Sequence, residues 1–279
     1  MGTPLKDWDI HINYGIKTGY NDAFIISTEK RNEILANCKT EEERRKTEEL
    51  IRPILRGRDI KRYGYEWADL YLIATFPARH YNINDYPAVK DYLLSFAEDN
   101  LRDAGYDWVA DRYLAEFCKQ KLSQTGKFVE IKGERIILGN TPEKARKKTS
   151  NKWFETQDSI SYWEDFSKPK IIYREIGFEM DACIAPANWF VNNKLYLVTG
   201  DNIEYLLAFL NSKVFNIIIL ASANLTGGKG VDFMEKVKVP RDQNLMKAVV
   251  NTNDERQIDA QFNDYYGLTE AEKQFLSWD

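Results

Sequence analysis

Residues 15–26 read GIKTGYNDAFII. Two glycines stand four apart around Ile16-Lys17-Thr18, followed by a polar Asn-Asp pair and a short apolar run. Glycine loses much backbone entropy on folding, so it is kept where φ must be positive or where another backbone comes close. Gly15 and Gly19 therefore mark a tight, exposed loop with a lysine and a threonine at its tip. Before it, DIHINYG alternates Ile10, Ile12 and Tyr14 toward one face, a strand pattern. After it, AFIIS predicts a second short strand. The loop joins the two, and such a loop can be a plain turn or can offer its groups to an anion or a base edge.

Working outward, strands and helices mix without a regular βαβ period. TEKRNEILAN reads as a helix, and TEEERRKTEELI as a second one with Thr40 and Glu43 at capping-box spacing, closed by Pro53. LYLIATF and KPKIIYREIG read as strands, Pro87 opens a helix, and residues 106–122 are helical again. KFVEIKGERIIL reads as a hairpin turning at Lys132-Gly133, and a short basic helix follows Thr141-Pro142. DACIAP is a strand, and WFVNNKLYLVTG is a hairpin with an Asn192-Asn193 turn. Asp201 caps one long apolar helix, FMEKVKVP is a last strand, and the tail forms two small helices around Gly267. The class is α+β: a mixed, mostly antiparallel curled sheet flanked by helices, with small C-terminal helices. Residues 1–250 form the main domain, with a basic hairpin and helix segment at 119–152, and 251–279 a helical tail packed on it.

Of the 279 residues, 43% are hydrophobic and 13% aromatic, enough for a large core. The net charge of −4 argues against a nucleic-acid binder that is basic overall. The average hides a separation. Residues 119–152 carry ten Lys or Arg against three Glu, and residues 251–279 carry seven Asp or Glu against two basic residues. A polyanion-binding face with an acidic back has this pattern, as does a solvated basic helix. The N-terminal MGTPLKDWDI lacks an apolar signal core, and Cys38, Cys118 and Cys183 are few and widely spaced. They read as reduced thiols of a cytoplasmic protein.

Catalytic patterns are sparse. His11 and His80 have no partner at metal spacing, and GGKG lacks the spacing of a phosphate loop, with Gly230 where Ser or Thr would hold magnesium. Glu130 and Lys132 stand two apart on a predicted strand, the Glu-x-Lys half of a metal-dependent nuclease site, with Asp111 upstream. That pair keeps an endonuclease reading open. A protein-interaction scaffold is the other alternative.

Seven motifs in one order carry a further reading: GIKTGYNDAFII, IRPILRGRDIKRY, YPAVKDYL, ARKKTSNKWFETQDSI, KPKIIYREIG, YLLAFLNSKVFN and YYGLTEAEKQFL. Across nearly the whole chain the sequence resembles the TaqI-like C-terminal specificity domain. That is the target recognition domain of type IIG restriction-modification enzymes and related adenine-specific DNA methyltransferases. The resemblance implies a domain that reads double-stranded DNA. Beside it, a covalently linked N-terminal methyltransferase domain would use S-adenosylmethionine, and some members carry a magnesium-dependent nuclease further upstream. The methyltransferase's glycine-rich cofactor loop and Asn-Pro-Pro-aromatic motif are absent here; Asn188-Trp189-Phe190 is the nearest string and lacks both prolines. The chain is therefore expected to be a recognition fragment, without enzymatic activity or cofactor of its own, and the methylating activity belongs to the parent.

The candidate DNA contacts follow from residue chemistry. Arg56, Arg58, Lys61 and Arg62 crowd one glycine-broken segment, and arginine's planar fork suits two guanine acceptors or a phosphate. Asp59 is expected to orient Arg58 or to accept from a cytosine amine. Lys144, Arg146, Lys147, Lys148 and Lys152 suit phosphates, which set position and not sequence. Lys17, Thr18 and Asn21 of the glycine loop, Arg174 of YREIG and Lys229 of the TGGKG loop complete the set.

Overall fold

The computed structural model describes residues 2–94, 129–131, 134–136, 151–152, 154–177, 179–221 and 229–276. It is α+β, and the chain divides into two compact units. Unit 1 comprises residues 1–15, 55–68 and 162–279, and unit 2 comprises 16–54 and 69–161.

Unit 1 is built on a four-stranded antiparallel sheet in the order Ala182–Ala185, Lys170–Arg174, Leu195–Gly200, Ile10–Tyr14. Its register sets Ile172 against both Cys183 and Leu197, and Tyr196 against Tyr14. The β-branched run Ile171-Ile172 suits a pleated strand covered on both faces, and both residues are fully buried. The core places Ile171, Tyr173 and Val198 of the sheet with Tyr205, Phe209, Phe215 and Phe262 of the helices. Trp8 stacks on Tyr205 at 6.2 Å between ring centroids, and Phe262 meets Phe209 edge-on at 5.4 Å. Each such side chain contributes about 1.5–3 kcal/mol by leaving water. The tail helix Glu255–Tyr266, capped by Asp254 and closed by Gly267 at φ +67, is thus part of this core.

In unit 2, strands Ile25–Ser27 and Ile51–Leu55 lie antiparallel on either side of Leu70–Ile73. Helices Thr28–Ala36 and Glu41–Leu50 connect the first two, and another helix covers residues 87–94. Thr40 caps its helix as its spacing predicts, its hydroxyl accepting from the Glu43 N–H at 3.1 Å. The Glu43 carboxylate, buried, accepts from the N–H groups of Lys39 and Ala88. Strands Val129–Ile131 and Glu134–Ile136 pair antiparallel, as the predicted hairpin expects.

Several local expectations change, and Phe190–Val191 does not pair with Leu195–Gly200 as the WFVNNKLYLVTG hairpin expects. The AFIIS strand is preceded by a helical turn over Asn21–Phe24, leaving only Ile25–Ser27 extended. The long apolar helix is two, Ile203–Leu210 and Lys213–Ala221. It begins after Asn202, in the left-handed region at φ 58, and not at an Asp201 cap. Buried Asn211 breaks it, because its amide serves both the N–H and the C=O of Ala182. FMEKVKVP yields a helical turn at Val231–Met234 and strand only at Lys238–Val239, and an unpredicted helix Gln243–Val250 follows an Asp242 cap. The predicted helices at 106–122 and after Thr141-Pro142 lie outside the described residues. Among the described residues, no helix is long and apolar enough to cross a membrane.

Candidate nucleic-acid interface

The arginine-rich segment of unit 1 folds around one buried carboxylate. Residues Gly57–Asp59 form a single 3-10 turn. Asp59, 4% exposed, accepts from the Arg56 backbone N–H at 2.8 Å. Its two oxygens also accept from the Arg56 guanidinium, at 3.0 Å from Nε and 2.8 Å from Nη2. This bidentate pairing is the strong, planar kind. From below, the Arg174 guanidinium reaches the turn from strand Lys170–Arg174. Its Nε donates to the Gly57 carbonyl at 3.0 Å, its Nη2 donates to the Ile60 carbonyl, and its Nη1 pairs with Asp181 at 3.0 Å. A Cβ at Gly57 would stand a tight 3.1 Å from that of Lys194.

Between these anchors sits Arg58, exposed, at the middle of the turn. Asp59 does not orient it. The expected pairing is corrected to Arg56, because Asp59 points inward, where the Arg56 side chain and backbone occupy both its oxygens. Lys61 is exposed on the short ladder Ile60–Lys61 with Gly64–Tyr65, 3.7 Å from Glu66. Arg62 turns to the tail helix, 3.2 Å from Glu255 and 3.8 Å from Asp259, over the Tyr63 ring.

The glycine loop of unit 2 is braced from within. Thr18 is 1% exposed; its hydroxyl donates to Asn21 Oδ1 at 2.7 Å and accepts from the Tyr20 N–H. The backbone of Gln157 and Asp158 bonds the carbonyls of Thr18 and Lys17, and Asp158 accepts from the Lys17 N–H. Burial raises the Asp158 carboxyl above its ordinary range, and the Lys17 N–H and charge oppose this. Gly19 sits at φ +80, while a Cβ on Gly15 would fall 2.0 Å from the Asn192 carbonyl oxygen. One glycine thus serves the turn and the other a close backbone approach. Lys17 and Asn21 face solvent, as does Lys152, whose ammonium lies 5.6 Å from the Phe154 ring centroid. Asn151 next to it ties down the carbonyls of Thr156 and Gln157.

Lys229 is fully buried and donates to the carbonyls of Gly177 and Glu179 at 2.8 and 2.9 Å. Burial lowers its pKa to about 8, with Asp181 pulling the other way. Lys229 and Arg174 therefore face the protein and hold loops. Lys144, Arg146, Lys147 and Lys148 lie outside the described residues. So do the side chain of Glu130 and all of Lys132; among the described residues no three His, Cys, Asp or Glu gather at a metal-holding distance.

Sequence reasoning missed two features. Lys170, buried at the head of an apolar strand, donates to the Pro186 carbonyl at 2.8 Å, and burial lowers its pKa to about 7. The turn it supports carries Trp189, which meets Tyr65 and Trp67 at 5.5 and 5.1 Å between centroids. A lysine flanking two isoleucines was the available signal for the first; the aromatic cluster joins distant segments and had none.

The TaqI-like C-terminal specificity domain matches residues 52–229, well over half of the chain. No curated protein sequence matches. The solved structures it resembles include two restriction enzymes. One is the type IIL restriction-modification enzyme MmeI in complex with DNA, at 12% identity and a TM-score of 0.51, covering 98% of this chain and 35% of that one. The other is the type IIG restriction endonuclease BpuSI, at 12% identity and a TM-score of 0.47, covering 92% of this chain and 26% of that one. The chain thus spans about a third and a quarter of their lengths, and the likeness to MmeI is one of fold.

Proposed function

The chain belongs to the TaqI-like C-terminal specificity domain family, the recognition domains of type II restriction-modification enzymes, and from this premise we propose how it reads double-stranded DNA. Arg58 meets guanine O6 and N7 in the major groove, the pairing that arginine geometry favours. One observation carries this assignment: an exposed guanidinium stands on a turn whose two neighbouring arginines, Arg56 and Arg174, are spent on holding it still. A rigid backbone under a single outward fork is the arrangement that discriminates between bases.

Lys17, Lys61 and Lys152, exposed, grip phosphates, as do Lys144, Arg146, Lys147 and Lys148, while Asn21 flanks the glycine loop. Asp59, Arg62, Arg174, Thr18 and Lys229 keep these groups in place. Residues 1–250 act as the recognition domain and 251–279 as its support, a division consistent with the Arg62 pairs to Glu255 and Asp259. The parent enzyme methylates adenine in the cytoplasm with S-adenosylmethionine bound by a linked domain. The cofactor loop and catalytic motif for that chemistry are absent from this sequence.

The test selects preferred sites for the full-length encoded protein from a random DNA pool. Arg58→Ala should relax one base pair of the selected sequence and keep the others, a loss of about 1–3 kcal/mol of discrimination. An unchanged selected sequence would remove Arg58 from the readout.

A further inference from the structure

Immediately beyond Arg174 the chain bends, and Glu175, Gly177, Glu179 and Met180 are each tied down. The Glu175 N–H donates to the Lys194 carbonyl, and the Glu175 carbonyl accepts from the Lys229 N–H. The buried Lys229 ammonium takes the carbonyls of Gly177 and Glu179. The Met180 N–H donates to Asn216 Oδ1, and Asp181 pairs with Arg174. Gly177, at φ +156 and 3.2 Å by its would-be Cβ from the Lys229 ammonium, admits no larger residue without strain.

On this clamped bend stands Ile176, 62% exposed. It is the most exposed large apolar side chain among the described residues; Tyr14, at 48%, leans edge-on against Tyr162, and Ile217 and Val250 lie on helices. Two buried or half-buried cations fix the backbone around a β-branched residue that then buries little in the fold itself. Such a residue is free to make an apolar contact outside the fold.

Its position says where. Arg174 holds the Arg58 turn by two carbonyls and leads directly into the Ile176 bend. Two residues of extended chain reach at most about 7 Å, to which the Arg174 side chain adds its own length before meeting the Arg58 turn. Base pairs follow one another at about 3.4 Å, so a group beside the Arg58 anchor falls within a few base pairs of it. In the major groove the one apolar feature of a base edge is the thymine 5-methyl group.

We infer that Ile176 is a second specificity-determining residue, packing against the 5-methyl group of a thymine in the sequence that Arg58 helps to read. This rests on the DNA-reading function above.

The experiment measures binding of the full-length encoded protein to its selected sequence, with each thymine replaced in turn by deoxyuridine, which lacks only the methyl group. At one position the wild type should lose about fourfold in affinity, the factor that one buried methyl carries. Ile176→Ala should bind the thymine and uracil versions alike there, keep its preference at the Arg58-dependent base pair, and keep its thermal midpoint. Ile176→Val should retain most of the thymine preference. A wild type indifferent to every replacement would overturn the inference, as would an Ile176→Ala variant with an intact thymine preference. A variant that loses thermal stability or association with another protein while keeping that preference would assign Ile176 to a protein contact instead. If the wild type selects no sequence at all, the DNA-reading function itself fails. If it selects one, and Arg58→Ala relaxes it while Ile176→Ala does not, only the role of Ile176 falls.

Discussion

Two stretches of this chain are equally crowded with charge and use it in opposite ways. Helix Glu41–Leu50 pairs Arg44 with Glu48, Arg45 with Glu49 and Lys46 with Glu42, all at i,i+4 and all with side chains between 38% and 71% exposed. Segment Leu55–Arg62 instead sinks one pair, Arg56 with Asp59, to 19% and 5% exposure and leaves Arg58 outside. In water a pair gains little over its hydrated parts. Inside, each partner is indispensable to the other, because a charge left alone there has no water to replace its loss. The difference is that charge on the helix decorates a surface, whereas charge in the turn shapes a backbone.

The contrast can be broken most directly at its interior member. Asp59→Ala would leave the Arg56 guanidinium and N–H without their acceptor and should destabilise unit 1 by about 3–5 kcal/mol. Urea denaturation measures it, and a change under about 1 kcal/mol would put this pair in the same class as those of the helix.

Acidity sharpens the distinction between interior and exposed cations. The folded pKa values of Lys170 and Lys229, about 7 and about 8, lie below the ordinary 10.5, so between those limits the unfolded chain binds more protons. Stability should therefore rise across pH 7 to 9, by up to about 1.4 kcal/mol per pH unit for each lysine. Above pH 9 the buried Cys183, raised to about 12, opposes the gain, since the unfolded thiol ionises first. Urea midpoints measured from pH 6 to 9 should climb, and Lys170→Met should flatten the lower part of the rise.

A smaller effect is expected at Arg58, and only in complex with DNA. Beyond the relaxed base pair, Arg58→Ala should leave the urea midpoint of the free protein within about 0.5 kcal/mol of wild type, as for other surface substitutions. A larger shift would mean that Arg58 belongs to the frame it was assigned to crown. Least of all, Arg45→Ala on the helix should cost under about 0.5 kcal/mol, to be read from the same titration.

Much of the fold was legible because its signals are local. Thr40 with Glu43, the antiparallel pair Val129–Ile131 and Glu134–Ile136, and Gly267 between two helices each depend on neighbours a few residues away, and each is found where its pattern places it. The break at Asn211 was not legible, because it answers to the backbone of Ala182. The arginine cluster was visible in the same partial way. Its composition marked the segment, but whether Arg56 or Arg58 points outward is decided by Asp59 and by Arg174, more than a hundred residues later.

The pairing of strand Ile10–Tyr14 with Leu195–Gly200 also sets a timetable. A ribosome adds about 5–20 residues per second, so Tyr14 is made roughly nine to thirty-six seconds before Tyr196. For that interval strand Ile10–Tyr14 lacks its partner and carries the isoleucines Ile10 and Ile12, the kind of edge that invites association with other nascent chains. The strands Ile25–Ser27, Ile51–Leu55 and Leu70–Ile73 are synthesised meanwhile and can already pair with one another. Strand Ile10–Tyr14 thus waits long for this neighbour, and a message cut short before Leu195 yields a product in which the pairing never forms.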